Sequence, residues 1–441
     1  EVAAFCAAVA LVAAGCGSDQ AVPSSSALRA VGPPNVVRIA LSDFRWPLDP
    51  ALAAGRDELT LARALYSTPL RTDPSTGAVM PGLCTAWKAS DDFRRWTFTC
   101  RSAPAIAAAL RRVKHLDGAP AGWLFAHATV SAPSASRLDV RLAYPWRRFP
   151  YALTVVGAAP RFVPGPFRLV SGSRRLVVLR REGLTLQVQR LPALAAMRKF
   201  ERGELDEAPV PVGDIVAARA DSQLRASVRV RTLLGIDHAD IAGWSERFRR
   251  VYWETANRRD YEQLIPELEG SSAYGFLGGE QARPADFRRA VDAIPSLRKL
   301  PLWFFVPPDP ALREGARLLY AQWRDLGLGP IFLRSGPEAK PNAGIQRTIA
   351  AYPQEEAIPA ELVLRHELGS RHLLLGALSA TSQRPELQRL DDQMRRRASA
   401  IPIAWVVDAR LVSPRLEGWR EDVLGNVDYS VVKSLASSRP R

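Results

Sequence analysis

Histidine is scarce in this chain, five in 441 residues, and two of the five stand six apart at His366 and His372 in HELGSRH. A zinc-protease helix needs its histidines at i and i+4. That spacing excludes the pattern, and five histidines are too few for a His-rich metal site. No metal and no cofactor is expected. The chain also lacks a G-x-x-x-x-G-K-[ST] loop to cradle phosphates and a G-x-S-x-G nucleophile elbow. With these constellations missing, an enzyme is not expected. Lysine is nearly absent: Lys88, Lys114, Lys199, Lys299, Lys340 and Lys433 are the only ones among 60 basic residues. The net charge of +15 is therefore an arginine excess. The arginines are interspersed with acids, as in RRVYWETANRRDYEQL. A nucleic-acid-binding chain more often concentrates charge on one element, so no nucleic-acid partner is expected. The excess reads as solvated surface, with contact to anionic lipid or cell wall as the functional alternative.

Cysteine is scarce too, four in all. Cys16 ends the run LVAAGC at residues 11–16, which resembles the bacterial lipobox. A signal peptidase cuts such a sequence before the cysteine, whose thiol carries diacylglycerol. The implied reading makes residues 1–15 a lipoprotein signal peptide, Cys16 the lipidated first residue and 16–35 a flexible tether. The protein would then sit on the outer face of the cytoplasmic membrane. The start, Glu1 without a basic n-region, reads as truncated. The apolar run is shorter than the ~20 residues a spanning helix needs. The other reading is a buried apolar helix, but the polar GSDQAVPSSS that follows favours a tether. Cys84 and Cys100 flank WKASDDFRRWTF, two strands about a Ser-Asp-Asp turn that sets them opposite each other. They form either a cross-strand disulfide, favoured in an oxidising compartment, or two buried thiols.

The rest of the chain mixes strands and helices without repeats. Strands are expected at 36–41, 136–142, in several pieces over 167–190, at 302–306 and at 401–408. Pro-Ser-Thr-Gly at 74–77 marks a hairpin. Helices are expected at 57–66, 105–112, 194–203, over most of 246–268 and 284–297, and at 310–326 and 386–398. The length suggests two or three domains, and the mixture gives an α/β or α+β chain with more than one lobe.

The segment ALYSTPLRTDPSTGAVMPGLCTAWKASDDFRRWTFTCR, residues 64–101, carries a leucine–tyrosine pair, D-P-x-T-G, P-G-L, a following Trp, S-x-D and an aromatic strand ending in arginine. It resembles the family 5 extracytoplasmic solute-binding proteins, the peptide/nickel receptors of ABC importers. Co-linear matches follow at GPFRLVSGSRRLVVLRREG (165–183), RKFERGELDEAPVP (198–211), ETANRRDYEQLI (254–265), ALREGARLLYAQWRDLGL (311–328) and IPIAWVVDARLVSPRLEGW (401–419). The resemblance covers roughly residues 36–430. It implies a two-lobed periplasmic-binding-protein-like fold of type II, α/β, with a small subdomain inserted in the first lobe. Lobe I would hold 36–62, 161–240 and 400–441, the subdomain 63–160, and lobe II 241–399.

Two departures stand out. After Arg101 the chain runs directly into SAPAIAAALRRV, where the family carries F-x-D-G-x-P. At AAYPQEEAI, 350–358, Ala351 and Gln354 stand where many relatives carry the acids of D-Y-P-D-P. In peptide-binding relatives an acid in this region holds the ligand's ammonium group, a strong charge-assisted bond. Glu355 or Glu356 could replace it only with a shifted loop. By family position the ligand-lining candidates are Tyr66, Trp303, Tyr352 and Trp405, with Asp237 and His238 after a lobe crossing in LLGIDHADI. By sequence alone each aromatic reads at least as well as an ordinary core residue, and the Asp-His pair reads better as a hinge or surface pair. The resemblance implies a monomer that captures a peptide or similar small solute and delivers it to ABC permease subunits. The departures support the alternative, a degenerate receptor serving as an envelope sensor, accessory or scaffold.

Overall fold

The computed structural model describes residues 33, 35–157, 165–265, 270–277, 284–307, 309–334, 341–366 and 370–435. Residues 1–32, with the lipobox, Cys16 and most of the expected tether, lie outside the described residues. No described helix is long and apolar enough to cross a membrane.

In chain order, β1 (Val36–Leu41) leads to α1 (Gly55–Leu65) and the hairpin β2 (Leu70–Thr72) with β3 (Val79–Pro81). Next come β4 (Cys84–Ala89), β5 (Arg95–Cys100), α2 (Ala103–His115), α3 (Gly122–Phe125), β6 (Ala128–Ser131) and β7 (Arg137–Leu142). The strands β8 (Arg168–Gly172), β9 (Leu176–Arg181) and β10 (Leu184–Arg190) precede α4 (Ala193–Glu201), β11 (Glu207–Pro209), α5 (Ile215–Ala220) and the long β12 (Val228–Ile241). A helical half then holds α6 (Glu246–Thr255), α7 (Arg258–Leu264), α8 (Pro284–Asp292), β13 (Leu302–Phe305), α9 (Pro310–Asp325), β14 (Ile331–Arg334), β15 (Ala343–Ile349), α10 (Ala357–His366), α11 (Arg371–Ser379) and α12 (Arg384–Arg397). The long β16 (Ala400–Val412) returns to the first half, and the short pair β17 (Leu416–Glu417) and β18 (Lys433–Ser434) closes the chain.

Ten strands form one sheet in the order β14-β13-β15-β12-β16-β11-β1-β10-β9-β8. Two strands belong to both halves. The first part of β12, Val228–Thr232, pairs antiparallel with Val407–Leu411, and its second part, Ile236–Asp240, pairs with Ala400–Trp405. The ladder is interrupted between Thr232 and Ile236. There the Leu234 N–H donates to the Val423 carbonyl of the C-terminal return (2.6 Å), while the Leu234 carbonyl accepts from Ala350 N–H (2.8 Å). A bulge bends a strand and interrupts its ladder. Here it also ties the two halves and the return to one residue.

Period-two patterning decides the layers of the first half. In β1, Val37, Ile39 and Leu41 enter a core with β9, β10 and α1. Ala40 on the opposite face enters a second core with α4, α5 and β11. This two-sided burial is what a central strand bonded on both edges requires. Arg38 points to that second face and reaches Asp206 (3.0 Å). The third core is continuous from the four-stranded sheet β4-β5-β7-β6 and its helix α2 into the helical half. This four-stranded sheet thus shares its apolar packing with the helical half. Cys84 and Cys100 face each other in the β4–β5 register and are disulfide-bonded.

Turn and cap chemistry accounts for local detail. Asp73 Oδ1 accepts the N–H groups of Ser75 and Thr76 (2.8 Å each), folding the expected hairpin between β2 and β3. Asp309 caps α9 by accepting the Leu312 N–H (3.0 Å). The stretch expected to be largely helical, 246–268, carries two helices, α6 and α7, and its residues 266–268 lie outside the described residues. The buried Arg258 guanidinium donates to the carbonyls of Trp253 (2.9 Å) and Ala256 (2.8 Å). Those carbonyls need no further helical turn, and Ala256 adopts an extended conformation.

Candidate functional site

The five sequence-predicted ligand residues lie on separate parts of this frame. Tyr66 follows α1, half-buried, with its hydroxyl donating to the Leu48 carbonyl (2.8 Å). Trp303 lies on the outer strand pair β13–β14, stacked on Phe332 (4.5 Å) beneath the Arg334 guanidinium (4.5 Å). Trp405 and His238 belong to the crossing strands, where Trp405 pairs with Ile236 and His238 with Pro402. His238 is buried, with Nδ1 2.7 Å from Asp240 and Nε2 3.0 Å from Thr348. Burial alone pushes its imidazole down, but the carboxylates of Asp240, Asp237 and Glu361 outweigh burial and hold it above the ordinary histidine value. Asp237 is salt-bridged to Arg347 (2.7 Å). These partners give the Asp-His pair a role inside the sheet.

Tyr352 lies in a seam between the 144–151 segment and the helical half. Its side chain is 0% exposed. The ring stacks on Tyr151 (5.9 Å, 27°) and tilts against Trp146 (5.7 Å). Beside it, Gln354 Nε2 donates to Tyr151 Oη (2.7 Å), and Arg148 donates to Gln354 Oε1 and Glu356 Oε2 (3.3 Å for Glu356). Glu356 is 0% exposed. Burial pushes its carboxyl above the usual range, with Arg148 opposing the shift. Arg147 N–H donates to the Leu378 carbonyl (2.8 Å), and Arg371 reaches His127 Nε2 (2.7 Å). Glu355, the other candidate acid, is exposed and paired with Arg384 (2.8 Å). The altered loop at 350–358 is thus filled by the protein's own side chains.

A solvent-connected cleft of about 380 Å³ opens elsewhere, between the end of α1, the β2–β3 hairpin and the C-terminal return. Tyr66 is the one predicted residue that lines it, together with Arg63, Arg71, Arg101, Asn426 and Asp428. Two glycines allow its walls to meet. A Cβ at Gly82 would stand 2.6 Å from the Thr68 carbonyl oxygen, and one at Gly165 would stand 2.3 Å from the Leu65 carbonyl carbon. The return is held by the buried carboxylate of Glu207. It accepts from Arg410 (2.7 Å), Trp419 Nε1 (2.7 Å) and Tyr429 Oη (2.7 Å). Anchored at both ends, residues 422–430 present a fixed polar wall.

No protein-family model matches the sequence, and no curated protein matches it. Among solved structures the chain is similar to the murein tripeptide binding protein MppA of Escherichia coli. The identity is 15%, with 92% of this chain and 100% of that one covered at a TM-score of 0.78. It is also similar to Haemophilus influenzae OppA in complex with RPPGFSPFR, at 14% identity, 91% and 99% coverage and a TM-score of 0.76. The fold is the two-lobed periplasmic binding-protein fold. At these identities the similarity speaks for the fold alone. The unliganded open form of the murein tripeptide binding protein has a lower TM-score, 0.66, at 16% identity and coverage of 93% and 99%.

Within this binding-protein fold the sequence reading missed Trp146, Arg148 and Tyr151 on one side of the seam, and Arg71, Arg101, Asn426 and Asp428 in the cleft. The run YPWRRFPY at 144–151 was the available signal for the first group. Nothing local marks the second, because its halves are separated by more than 300 residues of chain. Among the described residues, no group of three or more His, Cys, Asp or Glu side chains is placed to hold a metal ion.

Proposed function

We propose that this protein is a solute-binding receptor of an ABC importer. It is anchored outside the cytoplasmic membrane through lipidated Cys16, takes a peptide or similar small solute as a monomer, and presents its closed form to permease subunits. The supporting observation is mechanical. Two long strands, β12 and β16, run through both halves, and an interruption at Thr232–Ile236 sits between their two ladders. Among the described residues the seam is held by the apolar core that continues across it, ring packing, side-chain bonds and the Arg147–Leu378 backbone bond. Opening about the bulge would therefore spare the main sheet, as hinge closure requires. A binding reaction without covalent chemistry fits a chain whose motifs offer no nucleophile or metal constellation.

The second reading, a degenerate receptor acting as sensor, accessory or scaffold, draws its support from the seam. Tyr352, Gln354 and Glu356 are engaged by Trp146, Tyr151 and Arg148. Native mass spectrometry with mild denaturation, on the soluble form starting after Cys16, separates the two. A small molecule released on unfolding supports the receptor. An empty protein with no thermal shift across peptide and metabolite libraries turns the assignment to the degenerate form.

A further inference from the structure

We propose that the edge hairpin β8–β9 is a membrane-contact surface that lies on anionic lipid headgroups. The inference goes beyond the receptor reading, because it adds a surface and needs no solute. Between Arg168 and Arg181 the chain holds five arginines and no acid. Arg181 is engaged: it donates to the Val432 carbonyl (2.7 Å) and lies over the Phe167 ring (5.7 Å). The other four, Arg168, Arg174, Arg175 and Arg180, are exposed, and their side chains make no hydrogen bond or ion pair among the described residues. Arg168 and Arg180 stand opposite each other in the antiparallel ladder, and like charges so placed are destabilising. Apolar side chains stand among the arginines. Leu169 and Val170 are each 50% exposed and Leu176 is 40% exposed, three of the nine exposed large apolar side chains among the described residues.

The layering explains this exposure. Val177 and Leu179 of β9 enter the core with β1 and α1, so Leu176 and Arg180 take the opposite face. On that face α4 covers β1 through Ala196 and Phe200 against Ala40, and no residue of β8 or β9 joins their core. Every residue of β8, the last strand of the sheet, is exposed. Charge commonly protects such an edge from pairing, but protection does not call for exposed Leu and Val beside the arginines. A surface that mixes the two suits a bilayer: guanidiniums meet lipid phosphates bidentately while apolar side chains enter the headgroup layer. The entry of the chain into the lobe points the same way. Val36 pairs with Thr185, Thr185 with Arg180 and Arg180 with Arg168, one row across four strands. At about 4.8 Å per strand, Arg168 lies roughly 14 Å from Val36. The stretch from Cys16 to Val36 reaches at most about 70 Å when extended, so a lipid-anchored Cys16 lets this edge rest on the membrane. The four-stranded sheet offers a matched comparison. Arg95 faces Arg141 there, and Arg94 and Arg111 are exposed, but none of the exposed large apolar side chains lies on β4 to β7.

The test uses the chain from Gly17 onward, without a lipid anchor, and co-sedimentation with vesicles. One set holds equal parts of phosphatidylglycerol and phosphatidylcholine, the other phosphatidylcholine alone. The protein should partition onto the anionic vesicles and far less onto the neutral ones. An arginine at an anionic surface is worth about fivefold, so R168Q/R174Q/R175Q/R180Q should lose at least about fiftyfold. R94Q/R95Q/R111Q/R141Q, equal in charge, should lose no more than about threefold. An environment-sensitive fluorophore on V170C should shift to the blue on anionic vesicles, and one on R94C should not. Circular dichroism melting without vesicles checks that the variants fold. No binding, equal binding to neutral vesicles, equal losses in the two quadruple variants, or no shift at V170C overturns the proposal. Tighter binding to soluble polyphosphate than to vesicles, with no shift at V170C, also overturns it in favour of a polyanion surface. A solute released in native mass spectrometry without vesicle binding leaves the receptor reading standing and removes this one. Vesicle binding with the V170C shift but no solute supports this one and counts against the receptor.

Discussion

Replacing Arg148 by methionine should open the seam. Arg148 is the cation paired with Glu356, whose side chain is wholly buried and whose Oε1 already lacks a partner. Methionine keeps the apolar stem but removes the charge. Leaving a buried carboxylate unpaired costs about 3–5 kcal/mol. Two ring contacts hold the seam there, Tyr352 with Tyr151 and with Trp146, each contributing about 0.5–1.5 kcal/mol beyond area burial. The protein escapes the penalty by separating the lobes and hydrating Glu356. A bias of about 3 kcal/mol changes the closed-to-open ratio roughly a hundredfold. Spin labels at Arg137 and Gln388, both exposed, would report this by pulsed dipolar spectroscopy. The distribution should move to longer distances in R148M at pH 8. Burial raises the carboxyl's pKa in the closed form, so closure is favoured at low pH and lost as pH rises through that pKa. R148M should therefore close again near pH 5, and E356Q should stay closed throughout. An R148M distribution identical to the unmodified one at pH 8, with unchanged urea stability, would refute the reasoning.

Three further outcomes follow from buried groups. C84A/C100A should lose about 3 kcal/mol in urea unfolding, from releasing a loop of 16 residues' separation; a loss under 1 kcal/mol would remove the disulfide as a stabilising element. Because His238 is held above its ordinary value, its contribution is full below the unfolded pKa of about 6.5 and fades as pH rises through the folded one. The urea midpoint should fall more steeply from pH 6 to 8.5 in the unmodified protein than in H238Q, and parallel curves would contradict this. Asp391, which accepts the Phe276 N–H (2.7 Å), is pushed up by burial to about 6. Its charge is thus a burden above that pH, and D391N should gain about 2 kcal/mol more at pH 7.5 than at pH 4, with no pH-dependent difference as the contrary result.

Local chemistry was legible in the sequence. The alternation of VVRIAL, the D-P-S-T-G hairpin and the Asp309-Pro310 helix start each depend on residues a few positions apart. So does the facing of Cys84 and Cys100, which one turn sets. The resemblance over 64–101 added the two-lobed fold, which the superposed structures share. The break between α6 and α7 was not legible, because Arg258 caps the carbonyls only once it is buried against Pro402 (3.0 Å). The altered loop read as a lost acid in 350–358. That Arg148 and Tyr151 fill its place depends on two segments some 200 residues apart meeting.

Sequence by itself determined the period, the turns and the absence of catalytic motifs, since these reside in spacings of two to sixteen residues. Tertiary structure alone decided which charges are spent and which remain. Asp422 meets Arg63, Glu207 meets Arg410, and among the described residues Arg71 and Arg101 meet no carboxylate. Such pairing is set by packing between distant segments, and it leaves no trace in the order of the residues.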